Sequence, residues 1–231
     1  MQLVKWAKWV PVNKDRTYQR ARTEEQKNQR LADILSTTEE LLDERHYREI
    51  TLTSIADRLG FSRANLSHYV RSKEEILLLL YVRSLEEMLA EMKCLCATGF
   101  GDSVANDSKH LAALVARHTD FGRIGAVLAS LIESNVSLEC LISCKKRIVE
   151  AMSEASTILV ECGLFREHRA ATEFLIDLSN YVSGLYPASH PLPIQVKASR
   201  EAGYPIRGYE DSLVRYIAVQ LAGYQALCFQ P

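Results

Sequence analysis

The sequence predicts an all-α protein, in which an N-terminal three-helix headpiece carrying a helix-turn-helix precedes a larger helical domain. Three observations carry this reading. Apolar residues return at three- and four-residue spacing along most of the chain, and no segment holds the two-residue alternation of a strand for long. Glycine and proline, ten and six in number, are few and gather mainly at 184–208 and around 99–101, which leaves the remainder free to be helical. Two short apolar-faced segments flank Gly60 at the spacing of a paired-helix motif.

Residues 1–22 form a basic arm, with Trp6 and Trp9 set among lysines, and are read as flexible. The headpiece follows over 23–72. Its first helix is predicted over 24–45, where Leu31, Ile34, Leu35, Thr38, Leu41 and Leu42 share a stripe and Thr23 with Gln26 can form a capping box. After the short connection from His46 to Ile50, Thr51 can cap a second helix whose Leu52, Ile55, Ala56 and Leu59 share one face. Gly60 suits the left-handed residue that ends it. Ser62 can cap a third helix from Arg63 to about Val70. Ser72-Lys73-Glu74-Glu75 is another capping box and opens a long apolar fourth helix reaching about Cys96. The domain 73–231 continues with helices expected at 108–119, 123–135, 138–162, 168–186 and 209–228. The Pro- and Gly-rich span 187–208 is expected to be irregular.

A chain of 231 residues suits such a headpiece plus one larger domain and is long enough to bury a core. Hydrophobic residues are 47% and charged residues 25%, as in an ordinary globular protein. The net charge of −1 means that any nucleic-acid binding must rest on local basic groups. The first thirty residues supply them: Lys5, Lys8, Lys14, Arg16, Arg20, Arg22, Lys27 and Arg30 stand against Asp15, Glu24 and Glu25. No apolar run of about 18 residues occurs, so no membrane span is expected. Lys5 and Lys8 break the apolar residues at the start, so no secretory leader is expected and a cytoplasmic location follows.

The functional signal lies in Thr51 to Lys73, TLTSIADRLGFSRANLSHYVRSK. Ile55, Ala56, Leu59, Leu66 and Val70 can face inward and lock two helices across the Gly60 turn. Arg63, Asn65, Ser67 and His68 then point outward from the third helix. A helix so placed meets the major groove, where base edges carry a readable donor and acceptor code. Arg63 can pair bidentately with guanine and Asn65 with adenine, each such contact giving roughly 1–3 kcal/mol of discrimination. Thr51, Thr53, Tyr69 and Lys73 carry groups able to hold phosphates. Lys73 sits in the first turn of a helix, whose free N–H groups also favour an anion. The basic arm can reach a neighbouring minor groove, or serve only as a solvated tail with weak, salt-sensitive attraction.

These residues also carry a family resemblance. A long first helix, then Tyr47, Thr51, Ile55-Ala56, Gly60-Phe61-Ser62 and the run Leu66-Ser67-His68-Tyr69-Val70-Arg71-Ser72-Lys73-Glu74-Glu75, resembles the headpiece of the TetR family of transcriptional regulators over residues 24–80. His46 and Ala64 stand where that pattern often has glycine, and Ser67 where it often has tyrosine. The resemblance implies a homodimer on double-stranded, near-palindromic operator DNA, with Ala64 among the residues at the DNA surface. Its two headpieces would sit about 34–36 Å apart, one helical turn of DNA, or a multiple of it. The fourth helix onward is then a ligand-binding and dimerisation domain. The last two helices pair with a second subunit, and a small-molecule effector releases repression through the fourth helix as lever. An activator, or a helical adaptor of the same fold that has lost DNA binding, is the alternative.

Other candidates are weaker. Cys140 and Cys144 share a helical face and Cys94 and Cys96 are close, but no CxxC pair occurs and no nearby histidine completes a tetrahedral set. Buried small hydrophobes are the expected role of the cysteines, and no metal is expected. His110, His118 and Asp120 fall near one another and would line a pocket, sit on the surface or be satisfied core positions. The stripes Ile124, Val127, Leu128, Leu131, Ile132 and Phe174, Leu178, Tyr181, Val182, Leu185 are expected in the core, some of them lining any cavity. The stripe Leu213, Tyr216, Ile217, Gln220, Leu221, Tyr224 and Leu227 suits either core or dimer seam. No Ser/His/Asp order, nucleophile elbow, Gly-rich phosphate loop or HExxH motif is present, so neither catalytic residues nor a cofactor are expected.

Overall fold

Local hydrogen bonding fixes the ends of most helices in the computed structural model, which describes residues 24–101 and 103–227. The basic arm with Trp6 and Trp9, the cap at Thr23, Cys228 and the side chain of Leu227 lie outside the described residues. The chain divides into two units, one ending at Lys73 and the other beginning at Glu74. Among the described residues all regular structure is helical.

In the first unit, helix α1 spans Glu24–Glu44 and turns its stripe inward, with Ile34, Leu35, Thr38, Leu41 and Leu42 buried. A single tight turn at Tyr47–Glu49 leads to α2, Leu52–Leu59. Thr51 and Ser54 form a reciprocal capping box: the Ser54 N–H donates to Thr51 Oγ1 at 3.1 Å and the Thr51 N–H to Ser54 Oγ at 3.0 Å. At the other end Gly60 adopts φ +68°, which lets the Phe61 N–H return to the Ala56 carbonyl at 2.8 Å. Helix α3 is shorter than expected. Regular helix covers only Arg63–Leu66, and tighter turns carry the chain on to Val70. The Ser67 hydroxyl bends back to the Arg63 carbonyl at 2.9 Å, a competing bond that suits the end of a helix.

The second unit holds α4 (Lys73–Gly99), α5 (Val104–Arg117), α6 (Thr119–Gly125), α7 (Leu138–Glu161), α8 (His168–Ser189), α9 (Pro193–Ala202) and α10 (Tyr209–Leu227). Helices α6 and α7 pack against α8, while α10 lies mainly on α5. Three polar links hold α7 to α4. The buried Glu75 accepts from the Ser137 hydroxyl at 2.9 Å, Arg147 forks onto Glu86 with two bonds of 2.8 Å, and Lys93 meets Glu154 at 2.5 Å.

Two expected features are corrected. The helix expected at 123–135 is α6 ending at Gly125, followed by a wide turn over Leu128–Ile132 in which the Ile132 N–H reaches the Val127 carbonyl at 3.1 Å. The Asn135 amide and Ser134 hydroxyl then bond the Leu131 carbonyl, at 2.7 and 3.1 Å, and end the helical path. The span 187–208 is not irregular throughout, because α9 lies within it. Pro193 occupies its first turn, the Leu192 N–H donates to Gln195 Oε1 at 2.7 Å, and Gly203 closes it at φ +67°. Helix α9 buries no residue, so no apolar stripe announces it.

Candidate functional site

The paired-helix surface is built around Leu66 and Val70, which are buried with Ile55, Ala56 and Leu59. The two helices are thereby locked with one face of α3 outward, and Arg63, Ala64, Asn65, Ser67 and His68 are all exposed. Thr51 and Thr53 are exposed at the start of α2, and Tyr69 is half-buried beside Val70. Lys73 is tied into its own unit: its ammonium donates to the Ile50 carbonyl at 3.1 Å and the Tyr47 carbonyl at 3.3 Å. An ammonium has three N–H groups, so one is left for an outside acceptor. Two further contacts stiffen the frame. Arg58 forks onto Glu44 at 2.6 and 2.9 Å, and this hydrogen bonding holds the Glu44 carboxyl below its ordinary range. Arg30 stands over the Phe61 ring at 5.5 Å, pinning the turn to α1.

The second unit contains a cavity of about 710 Å³, within the range of small-molecule sites. Its floor is Tyr81 and Leu85 from α4 and Phe121 from α6, all buried. The rings of Tyr81 and Phe121 stack with centroids 5.4 Å apart. Burial pushes the Tyr81 hydroxyl above its usual pKa. The walls are α7 and α8, and the mouth lies where Val149 and Ser153 face Ile176 and Asn180, all four exposed. Glycine makes the floor possible. A Cβ on Gly122 would stand 2.7 Å from Tyr186 Cδ2, so only glycine lets α6 come this close to α8.

None of the expected stripe residues of 124–132 lines this cavity. Phe174 and Leu178 instead border a small void behind its floor; Ile124, Ile132, Phe174, Leu178 and Val182 are core, whereas Val127, Leu128, Leu131, Tyr181 and Leu185 are only half-buried. Sequence reasoning missed the lining residues. Their one signal is the set of hydroxyls, such as Ser153, Ser156, Thr172 and Ser179, interrupting otherwise apolar helix faces. On α10, Leu213, Ile217 and Leu221 are buried within the chain, so that part of the stripe is core.

The histidine group does not assemble. His118 Nε2 lies 3.0 Å from Glu91, Asp120 pairs with Arg123, and His110 is exposed with its ring against Phe100. Burial raises the Glu91 pKa, but hydrogen bonds from Arg117 and His118 outweigh it and leave the carboxyl below its ordinary range. No cluster suited to a metal ion occurs among the described residues. Burial, with a hydrogen bond to Cys162, pushes the Cys96 thiol up to about 12, and a hydrogen bond to Cys140 together with burial pushes Cys144 up further. Such thiols are poor nucleophiles.

An exposed paired-helix reader followed by a helical unit with its own cavity is the plan of a helix-turn-helix regulator. Residues 34–80 match the family model for bacterial regulatory proteins of the tetR family, and residues 82–227 match that for the tetracyclin repressor-like C-terminal domain. The chain belongs to the TetR family of transcriptional regulators, which are DNA-binding regulators and not enzymes. The fold is similar to that of the TetR family regulator PfmR from Thermus thermophilus, with TM-score 0.51 and 21% identity over 82% of this chain and 97% of that one. A TetR/AcrR family regulator from Thermobifida fusca is 23% identical over 85% of this chain and 98% of that one, with TM-score 0.44. No curated protein matches the chain. Among the described residues, no helix is long and apolar enough to cross a membrane.

Proposed function

We propose that this regulator is a cytoplasmic, homodimeric repressor of near-palindromic operator DNA, released when a small molecule enters the cavity. The observation that carries the reading is the outward face of α3, with Arg63, Asn65 and His68 exposed on a turn fixed by buried Leu66. Arg63 reads guanine and Asn65 adenine, with Ala64, Ser67 and His68 beside them at the base edges. Thr51, Thr53, Tyr69 and the remaining N–H of Lys73 hold phosphates and set the register. The arm 1–22 adds basic charge next to the headpiece 23–72, and residues 73–231 bind effector and partner.

The partner surface is read on α8 and α10, with α9 between them. Gly184 and Pro187 of α8 and Val219, Ala222 and Gly223 of α10 are exposed, mostly small, and suited to close helix approach. Exposed Leu192, Ile194, Tyr204 and Ile206 on and around α9, which buries none of its own residues, supply apolar area for a second subunit. Binding sites selected from random duplex DNA test this reading. The wild type is expected to recover one near-palindrome. The Arg63→Ala, Asn65→Ala double variant is expected to keep weak binding with no sequence preference. A double variant that holds the selected site as tightly removes the assignment of base readers.

A further inference from the structure

The cavity between α4, α6, α7 and α8 is notable for what lines it. No Asp, Glu, Lys or Arg is among its lining residues. Most of its polar groups are already used inside the wall. The Ser156 hydroxyl donates to the His168 carbonyl at 2.9 Å, Thr172 donates to the same carbonyl at 2.8 Å, and Thr157 donates to the Ser153 carbonyl at 3.1 Å. The Tyr81 hydroxyl is hydrogen-bonded with Ser179. The side chains of Ser153 and Asn180 stand exposed at the mouth, and the imidazole of His168 is exposed as well.

The deep part is mostly apolar. Leu85 and Phe121 form its floor together with the ring of Tyr81, and Met152 leans in from α7. Behind that floor lies a void lined by Met88 and Met92, which shares Leu85, Phe121, Met152 and Ser179 with the cavity. Methionine side chains repack readily, so the floor can yield to a longer apolar body. An ion entering this space would leave its hydration shell and find no charged Asp, Glu, Lys or Arg side chain among the lining residues, a heavy cost. A neutral apolar group loses nothing there and is removed from water.

We infer that the cavity takes an uncharged, mainly apolar molecule of drug-like size carrying one hydrogen-bonding end, a hydroxyl, carbonyl or amide. Its body rests on Tyr81, Leu85 and Phe121 and its polar end meets Ser153 and Asn180 at the mouth. The inference names the chemical class for the same site as the effector reading above and rests on it for its biological meaning.

The test is a titration of the full chain with Nile red, an uncharged fluorescent dye. Displacement follows with 1-decanol, decanoate and decyltrimethylammonium, which share one apolar chain and differ in charge. One saturable dye site per chain is expected, with decanol displacing it at a concentration at least tenfold below either ion. Met152→Trp fills the space and should abolish dye binding. Ser153→Asp, at the mouth, should favour the ammonium over decanoate. Displacement by either ion as readily as by decanol, or no saturable dye site, overturns the inference. DNA affinity is read separately in the same samples. Selective neutral binding without loss of DNA affinity upholds the ligand class and refutes release by effector.

Discussion

The paired-helix surface and the cavity are both made from helices, yet they are specified over different distances. On the reading surface the capping and turn bonds join residues three to five apart: Thr51 with Ser54, Phe61 with Ala56, Ser62 with Asn65. In the cavity the essential neighbours are Tyr81, Phe121, Ser153 and Asn180, which meet only because four helices have packed. The reader is therefore a local device resting on a small core, and the cavity is a property of the whole second unit. Disturbing one should leave the other intact, and each substitution below tests that separation.

The largest effect is expected at Leu66, whose side chain is fully buried under the reading face. Leu66→Ala should cost about 2–5 kcal/mol. DNA affinity measured by fluorescence anisotropy should collapse, while Nile red binding stays within a factor of two of wild type. Joint loss of both would break the comparison. Gly122→Ala is the converse experiment. The added Cβ meets a Tyr186 ring already stacked on His190 at 4.2 Å, so the ring has little room to give. Overpacking of this kind costs about 1–3 kcal/mol, and dye binding should weaken with unliganded DNA affinity preserved.

A smaller loss follows from Thr51→Ala, which removes the side-chain acceptor of the α2 capping box. About 1 kcal/mol is expected, read as a lowered urea midpoint, with weaker binding at every DNA sequence because the cap frames the reader without touching base edges. The smallest effect is the pH dependence of the Glu91 link to Arg117 and His118. The folded pKa of Glu91 lies below the ordinary 4.5, so its stabilisation is fully present above that value and is lost as pH falls through the folded one. The urea midpoint of Glu91→Gln should fall below that of wild type at pH 7, and the gap should close in acid. A gap that widens in acid would show the opposite sign and exclude this pairing.

The same distance scale explains what could be read in advance. The stripe from Ile34 to Leu42, the caps at Thr51 and Ser62 and the turn at Gly60 were legible because each depends on neighbours in sequence. The exposure of Arg63, Asn65 and His68 followed from the burial of Leu66 and Val70. Helix α9 was hidden because a helix with no buried face has no apolar period. The break after Gly125 was hidden because the apolar stripe from Ile124 to Ile132 keeps helical spacing across it. Cavity residues such as Tyr81 and Ser179 looked like ordinary helix positions until α4 and α8 were brought together.

One bond described above joins α7 to the beginning of α4. Glu75 grips the Ser137 hydroxyl at the first turn of α7, and two residues earlier in the chain Lys73 is fastened to the carbonyls of Tyr47 and Ile50. Under the proposed release by effector, a displacement of α7 would be felt first at Ser137 and, through Glu75, in the opening turn of α4.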